Sequence, residues 1–418
     1  MIRRIVTLTT SYPRFLGDGV GAFVEPISKG VVAHGYEVHL LAPWHPLVKR
    51  PPQEGDLHFH FFRYAPTTRL HVFGYASALK ADVSLRGSAY LAAPLAVSAG
   101  CWALHRLLRM TNVKLVHAHW AVPGGFMAAL GRFGFQVPLL VSLHGSDVYL
   151  AEVNPLARAA ARLAFGRATW ITACSDDLAR RAVQLGADPD CMTVVPYGVD
   201  TDRFKPDATV RASLREQHGL AQDDPVLVIA GRLVRKKGFE YLIDALPRLT
   251  ERFPRLVLIV AGGGDLEPEL RRRATHGGVL NHVRFLGAVN QGEVARWLAA
   301  ADLAVVPSVK DDSGNVDGLP NVLLEALSSS TAVIATAAGG MGTVAKEGQT
   351  ARVVHERDPD ALTNAVSQLL LQPATAKELG QRARAEMCRT HSWERTAEQF
   401  EDAYACAFRR AQRTPDHV

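Results

Sequence analysis

The sequence predicts an α/β protein made of two halves, each a parallel β-sheet with helices on both faces. Short, almost wholly apolar, β-branched runs alternate with longer runs of helical periodicity, the pattern of strands buried on both sides. That alternation stops once near the middle of the chain and then restarts. At about 150 residues per domain, 418 residues hold two or three domains, which excludes a single small module. With 48% apolar and 21% charged residues, the composition excludes a disordered or fibrous chain.

In the first half the strand-like runs are Ile5–Thr9, Glu37–Ala42, Leu57–Phe62, Leu115–His119, Leu139–Leu143, Thr169–Ala173 and Met192–Val195. Met1-Ile2-Arg3-Arg4 opens like a signal peptide, but Thr7, Thr9, Thr10 and Pro13 break the apolar run and no small-residue cleavage site follows, so a strand is read there. Helical periodicity is clearest at Phe23–His34, Pro155–Phe165 and Ser175–Leu185. Ser175 reads as an N-cap with two acids behind it, and Gly35 and Gly186 stand just past helix ends. From Ser88 to Leu104 there is no charge, with Arg86, Arg106 and Arg109 flanking. That stretch is short for a membrane span of about 20 residues and contains Pro94, Ser98 and Gly100, leaving a buried helix or one lying at a membrane interface.

The rhythm stops across Gly198–Pro225, which reads as an inter-domain linker. It restarts with strands at Val226–Ala230, Leu256–Ala261, Val283–Leu286, Leu303–Val306 and Ala332–Thr336, and helices near Phe239–Arg252, Glu293–Ala301, Asn321–Leu327 and Asp360–Leu371. Beyond Ala374 only helices follow, and Trp393, Phe400, Tyr404 and Phe408 recur at roughly helical spacing. The expected domains are 1–200, 201–390 and a 391–418 helix returning to the first domain. Ligands of open parallel sheets bind beyond the strands' carboxyl ends, so two Rossmann-like halves facing one another predict a cleft and place function in the loops after strands.

Lys and Arg number 21 up to Lys205 against 14 Asp and Glu, and 26 against 27 beyond it. The basic surplus therefore sits in the first half, where it is either scattered solvated charge or an attraction for phosphate-bearing partners. No Lys/Arg tract of the nucleic-acid type is present. Five cysteines with no C-x-x-C spacing indicate neither a disulfide framework nor a zinc site and fit a reducing cytoplasm.

Three loops could carry chemistry. Gly17-Asp18-Gly19-Val20-Gly21 follows the first strand and precedes a helix, so it is a phosphate cradle or a plain glycine turn. It is not G-x-G-x-x-G and no acid closes the second strand, which disfavours a dinucleotide oxidoreductase. Gly231-Arg232-Leu233-Val234-Arg235-Lys236-Lys237-Gly238 ends the first strand of the second half; Arg232 and Lys237 would set a forked guanidinium and a point charge around a diphosphate, or form a solvated basic turn. No Walker motif is present, which argues against a P-loop kinase or ATPase. In the third loop, Pro307-Ser308 leads through Asp317-Gly318-Leu319-Pro320-Asn321-Val322 to Glu325. Pro320 suits a first helical turn, leaving the N–H groups of Asn321 and Val322 free. Asp317 and Glu325 could then bind two hydroxylated parts of one ligand, or be an ordinary N-terminal acid and a surface charge.

Gly231-Arg232-Leu233…Lys237-Gly238 with Asp317-Gly318-Leu319-Pro320-Asn321…Glu325-Ala326 resembles the G-R-L-x-x-x-K-G and E-G-x-P-x-x-x-x-E-A signatures of retaining glycosyltransferase family 4, a family with the GT-B fold. Tyr12-Pro13…Gly19-Val20-Gly21-Ala22-Phe23-Val24, His117-Ala118-His119-Trp120, His144-Gly145-Ser146-Asp147, Ser175-Asp176-Asp177-Leu178 and Gly198-Val199-Asp200 fall where that family has similar segments. The resemblance runs in order from about residue 5 to 405 and is specific for the family, not for its donor or acceptor.

The resemblance implies that Arg232 and Lys237 hold the donor diphosphate in the role a divalent metal plays elsewhere, so no metal or cofactor is expected and the nucleoside-diphosphate sugar is a substrate. It implies Glu325 on the ribose, Asp317 on the donor sugar and His144 against that sugar, although a histidine after an apolar strand also reads as a packed core residue. Gly19, Val20, Gly21 and Asp147, with Leu319, Pro320, Asn321 and Val322, complete the implied donor-binding set, and the base would be read by backbone near Ala288-Val289. Family members retain anomeric configuration by front-face attack, with no protein nucleophile. Departures from the family pattern are Asp317 for Glu, Tyr197 for Asn, Ser330 and Ala332 for Gly and Pro, and Thr343 for Glu. The expected function is sugar transfer from a nucleoside-diphosphate sugar to a glycan or lipid-linked acceptor in polysaccharide or glycolipid biosynthesis, at the cytoplasmic face of an anionic membrane. The alternatives are a catalytically idle nucleotide-sugar-binding subunit of a glycan assembly complex, and another GT-B enzyme such as a nucleotide-sugar epimerase.

Overall fold

The computed structural model describes residues 3–75, 79–80, 84–85 and 87–413. The chain divides into two compact units, Met1–Tyr197 with Trp393–Val418, and Gly198–Ser392. In order, the first unit holds β1 (Arg3–Leu8), α1 (Val24–Ala33), β2 (Tyr36–Pro43), β3 (Gln53–Glu54), β4 (Leu57–Phe62), β5 (Leu79–Lys80), β6 (Ser84–Leu85), α2 (Gly87–Met110), β7 (Leu115–His119), α3 (Phe126–Gly131), β8 (Leu139–Leu143), α4 (Ser146–Val153), α5 (Pro155–Arg167), β9 (Trp170–Ala173), α6 (Asp176–Gln184) and β10 (Met192–Val194). The second unit holds α7 (Ala208–Gln217), β11 (Val226–Ala230), α8 (Phe239–Arg252), β12 (Val257–Ala261), α9 (Glu267–His276), β13 (Val283–Gly287), α10 (Gln291–Ala300), β14 (Leu303–Val306), α11 (Asn321–Ser328), β15 (Ala332–Thr336), β16 (Arg352–Val354), α12 (Pro359–Leu371) and α13 (Pro373–Thr390). Helix α14 (Trp393–Arg413) belongs to the first unit.

The first unit's sheet runs β10-β9-β8-β7-β1-β2-β4-β3 and is parallel except at the short edge strand β3. The chain winds outward from β1 through β2 to β4, then returns to β7 beside β1 and winds the other way. The switch point thus lies between β1 and β7. One face of this sheet packs Ile5, Val38 and Leu40 against Val24 and Ile27 of α1 and Phe400 and Tyr404 of α14. Helix α14 can lie close to α1 because position 30 is glycine: a Cβ on Gly30 would sit 2.7 Å from Ala397 Cβ. Helix α2 carries the uncharged stretch, with Pro94 inside it. Among the described residues no helix is long and apolar enough to cross a membrane.

The second unit's sheet, β13-β12-β11-β14-β15-β16, is wholly parallel, with its switch between β11 and β14. Strands β11, β12, β14 and β15 are buried along their whole length, as strands covered on both faces must be. Leu227, Ile229, Leu258 and Val260 meet Leu242, Ile243 and Leu246 of α8 and Val366 of α12.

The stretch read as a linker contains α7, a finding the sequence pattern does not suggest. Asp207 caps that helix, its carboxylate accepting from the backbone N–H groups of Thr209 and Val210. Arg215 within it is fully buried: its guanidinium donates to the carbonyls of Ala300, Ala221, Gln222 and Asp224 and, at 2.8 Å, to Asp302 Oδ2. Asp302 Oδ2 also accepts from the N–H of Val226 and its Oδ1 pairs with Arg211 at 2.6 Å, so two ion pairs tie α7 to the starts of β11 and β14.

Candidate active site

In the second unit, the loops after β11 and β14 leave the sheet on either side of its switch point, where doubly wound sheets bind ligands. The two loops are tied together, with Val309 N–H donating to Lys236 O at 2.8 Å. Gly238 permits this approach: it is left-handed at φ 64°, and a Cβ there would fall 2.0 Å from Pro307 O. No other residue fits at that position without moving the second loop.

This approach brings Lys237 and Asp317 together. Lys237 Nζ lies 2.9 Å from Asp317 Oδ2, Lys236 Nζ 3.6 Å from Oδ1, and Ser308 Oγ donates to Oδ2 at 2.8 Å. Burial alone would push the Asp317 carboxyl up, but the two ammonium groups and the hydrogen bonds from Lys237 and Ser308 hold it down at about 2. Asp317 is therefore ionised and occupied by lysines, so a sugar hydroxyl would have to share or displace those contacts. Arg232 is exposed on the same loop as Lys237.

Glu325 lies on α11 and is 8% exposed. Burial pushes its carboxyl up to about 7, against the pull of Arg203, Gln291 and Lys237. Gln291 Nε2 donates to Glu325 Oε1 at 3.3 Å, and Arg203 donates to Gln291 Oε1 at 2.8 Å. Pro320 occupies the N-cap of α11, one residue earlier than expected, and no side chain caps this helix start. The first-turn amides of Asn321 and Val322 therefore lack a side-chain acceptor, while Leu319 is buried beneath them and Asn321 Oδ1 is buried without a partner.

In the first unit the corresponding loops follow β1, β7 and β8. Asp18 in the glycine loop takes the Arg14 guanidinium at 2.6 Å and the N–H groups of Arg14 and Val20. The Val20 amide is thus already used inside the loop, whereas Gly19 is exposed and a Cβ there would meet nothing within 4 Å. Gly21 passes tightly by the Ser11 carbonyl.

Asp147 is bonded to the backbone of the two neighbouring loops. It is 1% exposed, with Oδ1 accepting from the N–H groups of His144 and Gly145 and Oδ2 from that of Ala121. These bonds engage both oxygens and fasten the loops after β7 and β8. His144 is half-buried, and its two ring nitrogens lie 2.9 Å from His119 Nδ1 and 2.8 Å from Tyr197 OH. Burial holds its imidazole well below the ordinary range, hence neutral.

Sequence reasoning left Lys236, Ser308, Gln291, Arg203, His119 and Tyr197 without roles. The doubled lysine and the residue after Pro307 were visible signals. Gln291 and Arg203 gave none, because only the fold brings them to Glu325.

Two doubly wound units, each with its loops at the switch point, form the GT-B class of fold. Solved structures agree over nearly the whole chain: sucrose-phosphate synthase from Thermosynechococcus elongatus superposes with a TM-score of 0.79 at 21% identity, covering 97% of this chain and 99% of that one. Anabaena HepE in complex with UDP gives 0.75 at 21% identity, covering 96% and 99%. The family model Glycosyltransferase Family 4 matches residues 17–203, and Glycosyl transferases group 1 matches residues 210–386. The GDP-mannose-dependent alpha-(1-6)-phosphatidylinositol monomannoside mannosyltransferase of Mycolicibacterium smegmatis is 35% identical over 278 residues, covering 66% of this chain and 72% of that protein. D-inositol 3-phosphate glycosyltransferase 2 of Catenulispora acidiphila is 34% identical over 309 residues, covering 70% of each. The chain belongs to glycosyltransferase family 4, and it is a glycosyltransferase.

Proposed function

We propose that this enzyme transfers a hexose, with retention and without a metal, from a nucleoside-diphosphate sugar to a lipid-linked or glycan acceptor at the cytoplasmic face of a membrane. The observation that carries this reading is the cluster at the second unit's switch point: Lys236 and Lys237 on one buried carboxylate beside an uncapped helix start. Arg232, Lys237 and the amides of Asn321 and Val322 would hold the diphosphate and stabilise it as it leaves. Glu325 would accept from the ribose hydroxyls. Asp317 would orient Lys237 and meet the sugar, and His144 in the first unit would face a sugar substrate. GDP-mannose is the first donor to test, since it is the donor named for the mycobacterial relative, and an inositol-headed lipid is the first acceptor.

Membrane association is supported by α2, which has no acidic residue and exposes Leu95 and Trp102 seven positions apart, with Arg106 over the Trp102 ring at 5.6 Å and Arg109 one turn on. Co-sedimentation with anionic liposomes at low salt tests that part, and a wholly soluble chain rejects it. For the enzyme itself, UDP-, GDP- and ADP-sugars are screened by thermal shift, because a ligand of the native state raises its apparent stability. Transfer that disappears in Arg232→Ala and Glu325→Ala is expected. Donor binding with no transfer or hydrolysis would instead favour the idle subunit, and sugar interconversion without an acceptor would favour an epimerase.

A further inference from the structure

In the first unit, three side chains form a hydrogen-bonded ribbon centred on His144. His119 Nδ1 lies 2.9 Å from His144 Nε2, and His144 Nδ1 lies 2.8 Å from Tyr197 OH. The ring planes are nearly parallel, 18° between His119 and His144 and 13° between His144 and Tyr197, and their centroids stand 5.1 and 5.8 Å apart, as in edge-to-edge bonding. Each contact therefore lies in the ring plane, where the lone pairs and N–H bonds point. Phe23 and Trp120 close on the His144 ring, with centroids at 4.6 and 4.9 Å. Trp120 is held at φ 63°, a conformation costly for a bulky residue and found where surroundings over-determine it.

The direction of the bonds follows from one atom. His119 is fully buried and its Nε2 has no partner. If Tyr197 donated to His144 and His144 to His119, then His119 Nε2 would carry a buried N–H with nothing to accept it. In the opposite direction His119 donates from Nδ1, His144 donates from its own Nδ1 to Tyr197, and the unpartnered atom is a bare ring nitrogen. A buried N–H with no acceptor is among the rarest defects in folded proteins, which favours the second direction. The other ionisable neighbours do not alter it. Asp147 accepts from the backbone N–H of His144, and His117, 4.3 Å from the His119 ring, is bonded to Tyr404 and Ser142.

We propose that His119 and Tyr197 are positioning residues that hold His144 as the neutral Nδ1–H tautomer with both nitrogens engaged, so that His144 offers a sugar substrate a fixed C–H edge and no proton. This rests on the reading of His144 as a sugar-facing residue. It gives the departure at Tyr197 a purpose: the phenol supplies the acceptor that fixes the tautomer, and the buried position keeps that acceptor dry. Proton transfer in the reaction then belongs to the substrates themselves.

The test has a spectroscopic and a kinetic arm, both on the full chain. Long-range 1H–15N correlation of 15N-histidine protein, with His144 assigned by its loss in His144→Asn, reads the tautomer directly. The expected result is the Nδ1–H pattern, unchanged between about pH 6 and 8; an Nε2–H or doubly protonated pattern overturns the proposal. With GDP-mannose as donor, Tyr197→Phe is expected to lower kcat about ten-fold or more with donor KM within about three-fold, and to lose the Nδ1–H pattern. His119→Asn can place an amide N–H where Nδ1–H stood and is expected to keep most of kcat, whereas His119→Leu falls as Tyr197→Phe does. Wild-type kcat in Tyr197→Phe, or equal losses in the two His119 variants, overturns the positioning role. A wild-type chain that transfers no sugar sinks the functional reading and the positioning role with it, while the spectrum still decides the tautomer.

Discussion

The two units share one winding, with a switch point flanked by loops, yet they equip it with opposite chemistry. The second unit gathers charge: two lysines and a hydroxyl on Asp317, and a carboxyl at Glu325 whose burial brings it to about 7. The first unit gathers neutral hydrogen-bonding rings, with His117, His119 and His144 all pushed below the ordinary imidazole range by burial. The contrast teaches that the parallel sheet supplies only the address. What a loop can bind is decided by whether its buried polar groups are paired as ions or chained as neutral donors and acceptors. A diphosphate suits the first arrangement and a neutral sugar the second.

The largest stability effect expected of a single substitution separates the units energetically. Arg215→Met leaves the carbonyls of Ala221, Gln222 and Asp224 without their buried donor and Asp302 with Arg211 alone as its guanidinium partner, which should cost about 3 kcal/mol of second-unit stability. Hydrogen exchange should rise at β11 and β14 and stay unchanged at β7 and β8. Equal acceleration in both would mean that the units unfold as one. Next is Lys237→Ala, expected to reduce kcat/KM for transfer by about 100- to 1000-fold, the scale of removing one charge-stabilising donor. A loss under about three-fold would remove Lys237 from the site.

The third prediction uses the opposite signs of the pKa shifts. Glu325 binds its proton more tightly folded than unfolded, so its contribution to stability is complete below the unfolded carboxyl range and is lost as pH rises through about 7. The buried imidazoles are depressed, so their contribution is complete above the unfolded value near 6.5 and is lost as pH falls. Moving from about pH 7.5 to 5.5 should therefore stabilise the second unit by about 2 kcal/mol and destabilise the first by about 1.4 kcal/mol per depressed imidazole, about 4 kcal/mol for the three, read as exchange corrected for intrinsic rates. Glu325→Gln should flatten the second unit's slope and raise its stability at pH 8, while weakening donor binding. Parallel slopes in both units would show that these groups do not control the balance.

Much of the scaffold was legible because strands of a covered parallel sheet are short runs rich in apolar and β-branched residues: Leu57–Phe62, Leu115–His119, Leu139–Leu143 and Val226–Ala230 stand where the pattern placed them. Ser175 was readable as a cap because the hydroxyl-then-acid signature is local, and its Oγ accepts from the N–H of Leu178. Helix α7 was not, because the residue that anchors it is an arginine, and burial of a guanidinium depends on carbonyls contributed from elsewhere in the chain. Strand β16 was missed because Arg352–Val354 is a short edge, half-exposed and without alternation. At the site, the candidate residues were named by motif, but their partners were not. Whether Asp147 faces a ligand or three backbone amides, and whether Asp317 is free or held by lysines, is set by loop approach, and loop approach leaves only a glycine such as Gly238 as its trace.

The smallest predicted effect compares one serine in each unit. Ser308 Oγ donates to an ionised carboxylate that also has two ammonium partners, so Ser308→Ala leaves Asp317 charged and paired. Stability should fall by under about 1 kcal/mol, and transfer by about two- to five-fold as Lys237 loosens. Ser142 Oγ stands between His117 Nε2 and Thr172 Oγ1, at 2.7 and 2.6 Å, in a neutral buried chain. Ser142→Ala removes the partner of a buried ring nitrogen that nothing else can reach, so it should cost about 1–3 kcal/mol of first-unit stability with donor affinity unchanged. The two alanines should thus dissociate: one shows in kcat/KM and scarcely in urea denaturation, the other the reverse. If Ser142→Ala proved silent in stability and harmful to transfer, the neutral chain would be part of the reacting machinery and the contrast between the units would fail at its weakest link.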